Sequence, residues 1–223
     1  MRRTHPGTTS RSTARLWWPT PRRRARIAAL AAALDAAVGR GWPVVPGARA
    51  VRGENGPCAC ADPLCPAPGE HPQDPPLEAA TADPRMVRWW WEERAPGAPV
   101  LLATGRVVCA VSLPRPAGPW LLSHLAETGV PHGPVLATTE RYVLLTAPYT
   151  LDELGGMLAD RPWVPGALRY HGPGGYLVLP PSRTGAGQVH WVRRPLAGEP
   201  WLPQVGTLLG GLITASAVAL PHG

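Results

Sequence analysis

The sequence predicts an α/β or α+β domain, and three observations predict it. Helical and strand-like patterns follow one another in mixed order with short connections, as expected of helices packed on a sheet. The strand-like stretches, such as VLLATG (100–105) and RVVCAVSL (106–113), are short, apolar and β-branched. A length of 223 residues with an apolar fraction of 44% suffices for one good core and a small satellite, not two full domains. The 30 prolines and 25 glycines explain why the elements are short.

Residues 1–24 (MRRTHPGTTSRSTARLWWPTPRRR) are polar, basic and aperiodic, and are expected to form a disordered Arg-rich leader. The folded domain is expected over 25–200, and 201–223 as a C-terminal packing helix and tail. From Ala25 to about Gly39 the alanines and leucines suit a helix, and Gly39 and Gly41 suit its end. WPVVP (42–46) reads as a short buried strand. In TADPRMVRWWWEER (81–94), Asp83 can cap a helix whose first turn holds Pro84. There Met86, Trp89 and Trp90 are expected on the buried face, with Trp91 half exposed. GPWLLSHLAETG (118–129) and LDELGGMLADRP (151–162) read as helices, and VLATTERYVLLTAP (135–148) as a strand pair or one bent strand. GPGG (172–175) is a turn entering a strand; it lacks the lysine and helix start of a phosphate loop.

The net charge of +7 is misleading until it is located. Residues 1–26 hold eight arginines and no acid, which leaves 14 arginines against 15 acids in the remainder. Nonspecific phosphate binding is thus expected of the leader rather than the body. RRRARIAALAAALDAAVGRG is broken by Asp35 and has no persuasive cleavage site. VGTLLGGLITASAVALP is shorter than the ~20 residues of a membrane span. A cytoplasmic protein with no membrane partner is expected.

CACADPLCPAPGEHP (58–72) concentrates three of the four cysteines and a histidine between prolines. Cys58, Cys60, Cys65 and His71 form a complete tetrahedral Zn2+ set, closed to water and therefore structural. The alternative, a disulfide with a spare thiol, is disfavoured because Cys58 and Cys60 are too close to bridge easily. Cys109 lies alone in an apolar run and reads as a small buried residue.

Several segments together resemble the N-terminal domain of bifunctional DNA primase/polymerases, in the archaeo-eukaryotic primase superfamily. They are GWPVVP (41–46), CACADPLCPAPGEHP (58–72), ATADPRMVRWWWEERAPGAPVLLATG (80–105) and GPGGYLVLPPSRTGAGQVHW (172–191), in the family's order. The resemblance implies an RRM-like mixed sheet flanked by helices, a zinc-knuckle-like loop at 58–71, and nucleotidyl transfer assisted by two divalent ions. It implies an Asp-x-Asp or Asp-x-Glu pair after the TG turn, a His on a middle strand, and a further Asp before the glycine turn.

This sequence departs at each of those points. No Asp or Glu occurs between Glu93 and Glu127; Thr139, Glu140 and Arg141 stand where the histidine is sought; Leu168 and Tyr170 stand near the third acid. Of the arginines beside the implied cleft, Arg106, Arg141, Arg169 and Arg183 are candidates for gripping nucleic acid. The reading is a degenerate relative, an accessory module that binds nucleic acid or nucleotide, with DNA and a replication helicase or other replication protein as partners. The alternatives are an active primase/polymerase with noncanonical ligands, which alone would need Mg2+ or Mn2+, and a protein-interaction domain without nucleic acid.

Overall fold

The computed structural model describes residues 19–50, 57–60, 62–198 and 200–218. The greater part of the expected leader and the tail at 219–223 lie outside the described residues. Helix α1 (Pro21–Arg40) starts four residues before the expected Ala25. Thr20 caps it by accepting from the Arg23 N–H, and Pro21 occupies the first turn, where its missing N–H costs nothing. The arginine run had hidden this start signal. The helix ends on Gly41 in the left-handed region, whose N–H returns to the Ala36 and Ala37 carbonyls. Its buried stripe is alanine alone (Ala29, Ala33, Ala36 and Ala37), which lets the helix approach closely.

Strand β1 (Val44–Pro46) pairs antiparallel with β2 (Val100–Ala103), and β2 pairs with β7 (Tyr176–Leu179) in a three-stranded sheet. Helix α2 (Pro84–Trp89) is capped by Asp83 and runs into a single π-turn, Trp90–Arg94, closed by the Ala95 N–H on the Trp90 carbonyl. The buried face is Val87, Trp90 and Trp91; Met86 and Trp89 are exposed by 41% and 46%. The expected face was therefore one residue out of phase. Val87 pairs at i, i+3, i+4 with the two inner tryptophans, and the Trp91 indole donates to the Ala98 carbonyl. Trp89 instead lies under the Arg94 guanidinium.

The larger sheet has the order β10–β4–β5–β3–β6, with β3 (Cys109–Pro114), β4 (Val135–Ala137), β5 (Arg141–Thr146), β6 (Arg169–His171) and β10 (His190–Arg193). Every pairing in it is antiparallel, a correction to the mixed sheet expected. The β4–β5 hairpin sets one pair directly, and β3 accepts β5 and β6 in the same opposed sense on its two edges. β2 and β3, adjacent in sequence, belong to different sheets. One face of the large sheet shares a core with the small sheet, α1 and the tryptophans. The other packs on α3 (Ala117–Glu127), α4 (Leu151–Ala159) and α5 (Val205–Val218) through Leu121, Leu125, Leu154, Leu208 and Leu212. Cys109, wholly buried, belongs to this second core. A two-strand hairpin of β8 (Arg183–Thr184) and β9 (Gly187–Gln188) completes the α+β fold.

The two glycine motifs of the sequence meet in space. The Thr104 hydroxyl donates to the Gly172 carbonyl at 2.7 Å, and the Thr104 N–H to the Gly175 carbonyl at 2.9 Å. No helix among the described residues is long and apolar enough to cross a membrane.

Candidate functional site

A cleft of about 710 Å³ opens between the face of the large sheet and the small sheet, walled on one side by residues 65–70. Its floor follows from strand alternation. On β3, Ser112 faces the cleft while Val111 and Leu113 enter the second core. The register Ala110↔His171, Val111↔Tyr170, Ser112↔Arg169 then sets Arg169 and His171 on the cleft side of β6. Leu168 and Tyr170, which occupied the neighbourhood of the third acid in the sequence, pack instead with the second core. Arg141 reaches in from β5 on the opposite edge of β3.

Arg141 is held rigidly. Its Nε donates to Ser112 Oγ at 2.9 Å, and one Nη2 donates both to the Ser112 carbonyl at 2.8 Å and to the Ala167 carbonyl at 2.7 Å. His171 Nε2 lies 3.0 Å from the same Ser112 Oγ, which links the three side chains. Burial first, and then the charges of Arg141 and Arg169, push the His171 pKa down to about 4. Burial, with Arg169 second, also lowers Arg141 to about 10. No ion pair among the described residues joins Arg141 or Arg169 to a carboxylate. Glu70 and Glu140 line the cleft, but neither belongs to a metal-competent group.

The buried neutral His171 has a measurable consequence. Above its usual pKa of 6.5 the imidazole is neutral in both folded and unfolded chains. Between 6.5 and about 4 only the unfolded chain takes up the proton, so stability falls as pH falls, by up to about 3 kcal/mol. In denaturant titrations from pH 7 down to 4.5, His171→Gln is expected to lose stability less steeply than the parent. Parallel slopes would count against the assignment.

The second site is the cysteine loop. The ligand atoms of Cys58, Cys60, Cys65 and His71 all lie within 4.8 Å of one another. His71 Nε2 is 3.4 Å from Cys58 Sγ and 3.3 Å from Cys65 Sγ. Tetrahedral coordination at zinc bond lengths puts such atoms about 3.5–3.8 Å apart, so the set fits a metal ion. His71 Nδ1 donates to the Pro72 carbonyl at 2.9 Å, which leaves Nε2 as the ligating nitrogen. Burial raises the Cys58 thiol, but N–H groups of Cys60 and Gly69, with the Cys60 and His71 side chains, outweigh it and take it down to about 6. Burial raises Cys65 to about 11, and the neighbouring Cys60 and Cys58 add to that. Among the described residues this is the one Cys/His/Asp/Glu group close enough to share an ion.

The loop reaches the cleft through a chain of contacts. Gly69 (φ +81°) lies so close to the hairpin that a Cβ there would sit 3.0 Å from Thr184 Cα. The Gly185 N–H donates to the Pro68 carbonyl at 2.7 Å, and the Thr139 hydroxyl to the Ala186 carbonyl at 2.6 Å. Loop, hairpin and β4–β5 turn thus form one continuous rim.

Of the four arginines expected to grip nucleic acid, two, Arg141 and Arg169, line the cleft. Arg183 lines a separate groove of about 490 Å³ with Arg24 and Arg49, and Arg106 lines neither. Within the hairpin, Arg183 lines that groove while Gly185 and Ala186 line the cleft. Sequence reasoning missed the Ser112–His171–Arg141 linkage. The signal was parity, since Arg169 and His171 share a face once β6 is registered on β3.

The described residues thus form a two-sheet α+β domain with two arginines on the floor of its cleft and a metal-competent Cys3His loop at the rim. The chain belongs to the bifunctional DNA primase/polymerase N-terminal family, whose model matches residues 33–204. No curated protein and no solved structure gives a significant match. Members of the family use divalent metals and interact with nucleic acid or nucleotides. The cleft residues here do not suit such ions. Magnesium and manganese take hard oxygen donors, chiefly carboxylates; the floor offers a hydroxyl, an imidazole and two guanidinium groups, and the two carboxylates of the lining, Glu70 and Glu140, belong to no group close enough to share an ion.

Proposed function

We propose that this primase/polymerase-like domain no longer transfers nucleotides and serves replication as an accessory module that binds nucleic acid or nucleotide. The observation that carries this reading is the composition of the cleft floor. Ser112, Arg141, Arg169 and His171 stand on the strands where the family's acids would converge. Two-metal catalysis needs anionic oxygens to concentrate the ions against their mutual repulsion. Two guanidinium groups on that floor, Arg141 held by hydrogen bonds and Arg169 exposed beside it, oppose that concentration. We also read Cys58, Cys60, Cys65 and His71 as a structural zinc site, because sulfur-rich closed tetrahedra are the usual form of such sites.

Primer extension on a defined template, with all four deoxynucleotides and either magnesium or manganese, tests the first part. No incorporation above a protein-free control is expected with either ion. Template-dependent extension by the purified chain would overturn the reading.

A further inference from the structure

We propose that the outer groove along α1 docks an acidic, amphipathic peptide segment of a partner protein. Its apolar side chains lie on an alanine-lined floor while its carboxylates meet the arginines of the rim. The groove shares no lining residue with the cleft, so the proposal goes beyond the reading above and does not depend on it.

Two depressions make up this groove. The one of about 490 Å³ that holds Arg24, Arg49 and Arg183 shares Ala28, Pro181 and Gln188 with a neighbour of about 560 Å³, so the two run together. The second continues along α1 to Asp35 and Arg40 and is bounded by Arg194, just past β10. From Arg24 to Arg40 the helix rises about 24 Å, the span of about seven extended residues. Helical periodicity sets Ala25, Ala28 and Ala32 on the groove side, beside the alanine stripe that faces the core. Methyl side chains leave room for a second backbone to approach, and Leu179 and Val189 lie buried at the base.

Charge selects the sign of the occupant. Five arginines and one acid, Asp35, line the joined groove, although the chain beyond residue 26 holds 14 arginines against 15 acids. Arg40 pairs with Asp35, whereas Arg49, Arg183 and Arg194 are exposed and join no ion pair among the described residues. The Arg40 side chain is only 7% exposed, and its buried Nε has no hydrogen-bond partner among the described residues, so the wall keeps a cationic donor unmet. The segments outside the described residues do not supply the counter-charge. Residues 1–18 hold four arginines and no acid, 51–56 one arginine and one acid, and 219–223 neither. The floor also favours a peptide over a nucleic acid. Trp42 is buried beneath the Arg40 guanidinium and Trp191 packs against the first core, which leaves little aromatic surface for a base to stack on. Small aliphatic surface flanked by arginines suits apolar side chains alternating with carboxylates.

The test is fluorescence anisotropy of a labelled peptide of about eight residues, alternating Glu and Leu, titrated with the full chain. Saturable one-to-one binding is expected, weakened about tenfold when the peptide's glutamates become Gln and again when its leucines become Ser. Ala28→Glu, at the junction of the two depressions, is expected to weaken the parent peptide about tenfold. Arg183→Glu and Arg194→Glu, both at exposed positions, are expected to weaken it about fivefold each. The full chain with Arg2, Arg3, Arg11 and Arg15 all changed to Gln is expected to bind within about twofold of the parent. Circular dichroism and melting curves identify any variant that has failed to fold, and the exposed arginine variants carry the test if Ala28→Glu is one. Binding lost with the leader arginines, binding unmoved by the folded groove variants, or equal binding of the uncharged peptide would overturn the proposal. So would an oligothymidylate that binds more tightly than the peptide and is weakened by the same groove variants, for the groove would then be a nucleic-acid surface. Primer extension bears on the cleft alone, so neither result decides the other.

Discussion

Stripping the metal from the Cys58–His71 loop is expected to lower the melting temperature by roughly 10 °C and to loosen the β8–β9 hairpin together with the loop. The binding free energy of a structural zinc is about 10 kcal/mol or more in small domains, and it becomes folding free energy where no other force holds the ligands together. Here it is only partly converted, because neither hydrophobic core includes any of the four ligands. A loss of about 3–4 kcal/mol corresponds to that shift for a chain of this length. The local effect is more diagnostic. Residues 65–70 wall the cleft and hold the β8–β9 hairpin through Pro68 and Gly69, and the hairpin holds Thr139. Hydrogen exchange is therefore expected to rise in 65–70 and 183–188 together when the metal leaves, while α3 and α5 keep their protection. One zinc per chain by elemental analysis, and none in Cys58→Ser, completes the prediction. Metal-free protein with unchanged exchange at the hairpin would show that the loop stands without an ion.

Gly105→Val is expected to destabilise the fold by about 3 kcal/mol or more, which at this size is roughly 6–12 °C in melting temperature. Two penalties add at this position. The backbone sits at φ +119°, where a β-branched residue is strained. In addition, a Cβ would lie 2.5 Å from Pro173 Cα and 3.0 Å from Pro173 N, backbone atoms that cannot rotate aside. Gly129→Ala separates the two contributions, for its φ is +66° and nothing lies within 4 Å of the added carbon. That variant is expected to cost only about 1 kcal/mol, the conformational part alone. Equal losses in the two would mean that the contact between the Thr-Gly turn and the glycine-rich turn contributes nothing. The contact matters to function because this junction fixes β3 against β6, and with it the separation of Ser112 and Arg169.

The sequence alone carried the class of fold, the order of its elements and the metal-competent loop. Local spacing decides these features: Asp83-Pro84 starts a helix, Gly41 ends one, and three thiols with an imidazole within 14 residues can close on one ion. It also carried the family, through motifs kept in order, and it exposed the absence of acids between Glu93 and Glu127. Phase and partnership were decided elsewhere. The phase of α2 is set by the core it packs on, so the buried face is Val87, Trp90 and Trp91, and Trp91 lies inside. The division of four arginines between a cleft and a separate groove depends on which way the hairpin faces. Above all, Arg141 and Arg169, 28 residues apart in the chain, become neighbours only because β5 and β6 take opposite edges of β3. Strand pairing joins residues distant in sequence, and no local pattern encodes which edge a strand will choose. The pairing of two arginines on this floor is thus a property of the sheet's order, while the absence of acids from β3 was already written in the chain.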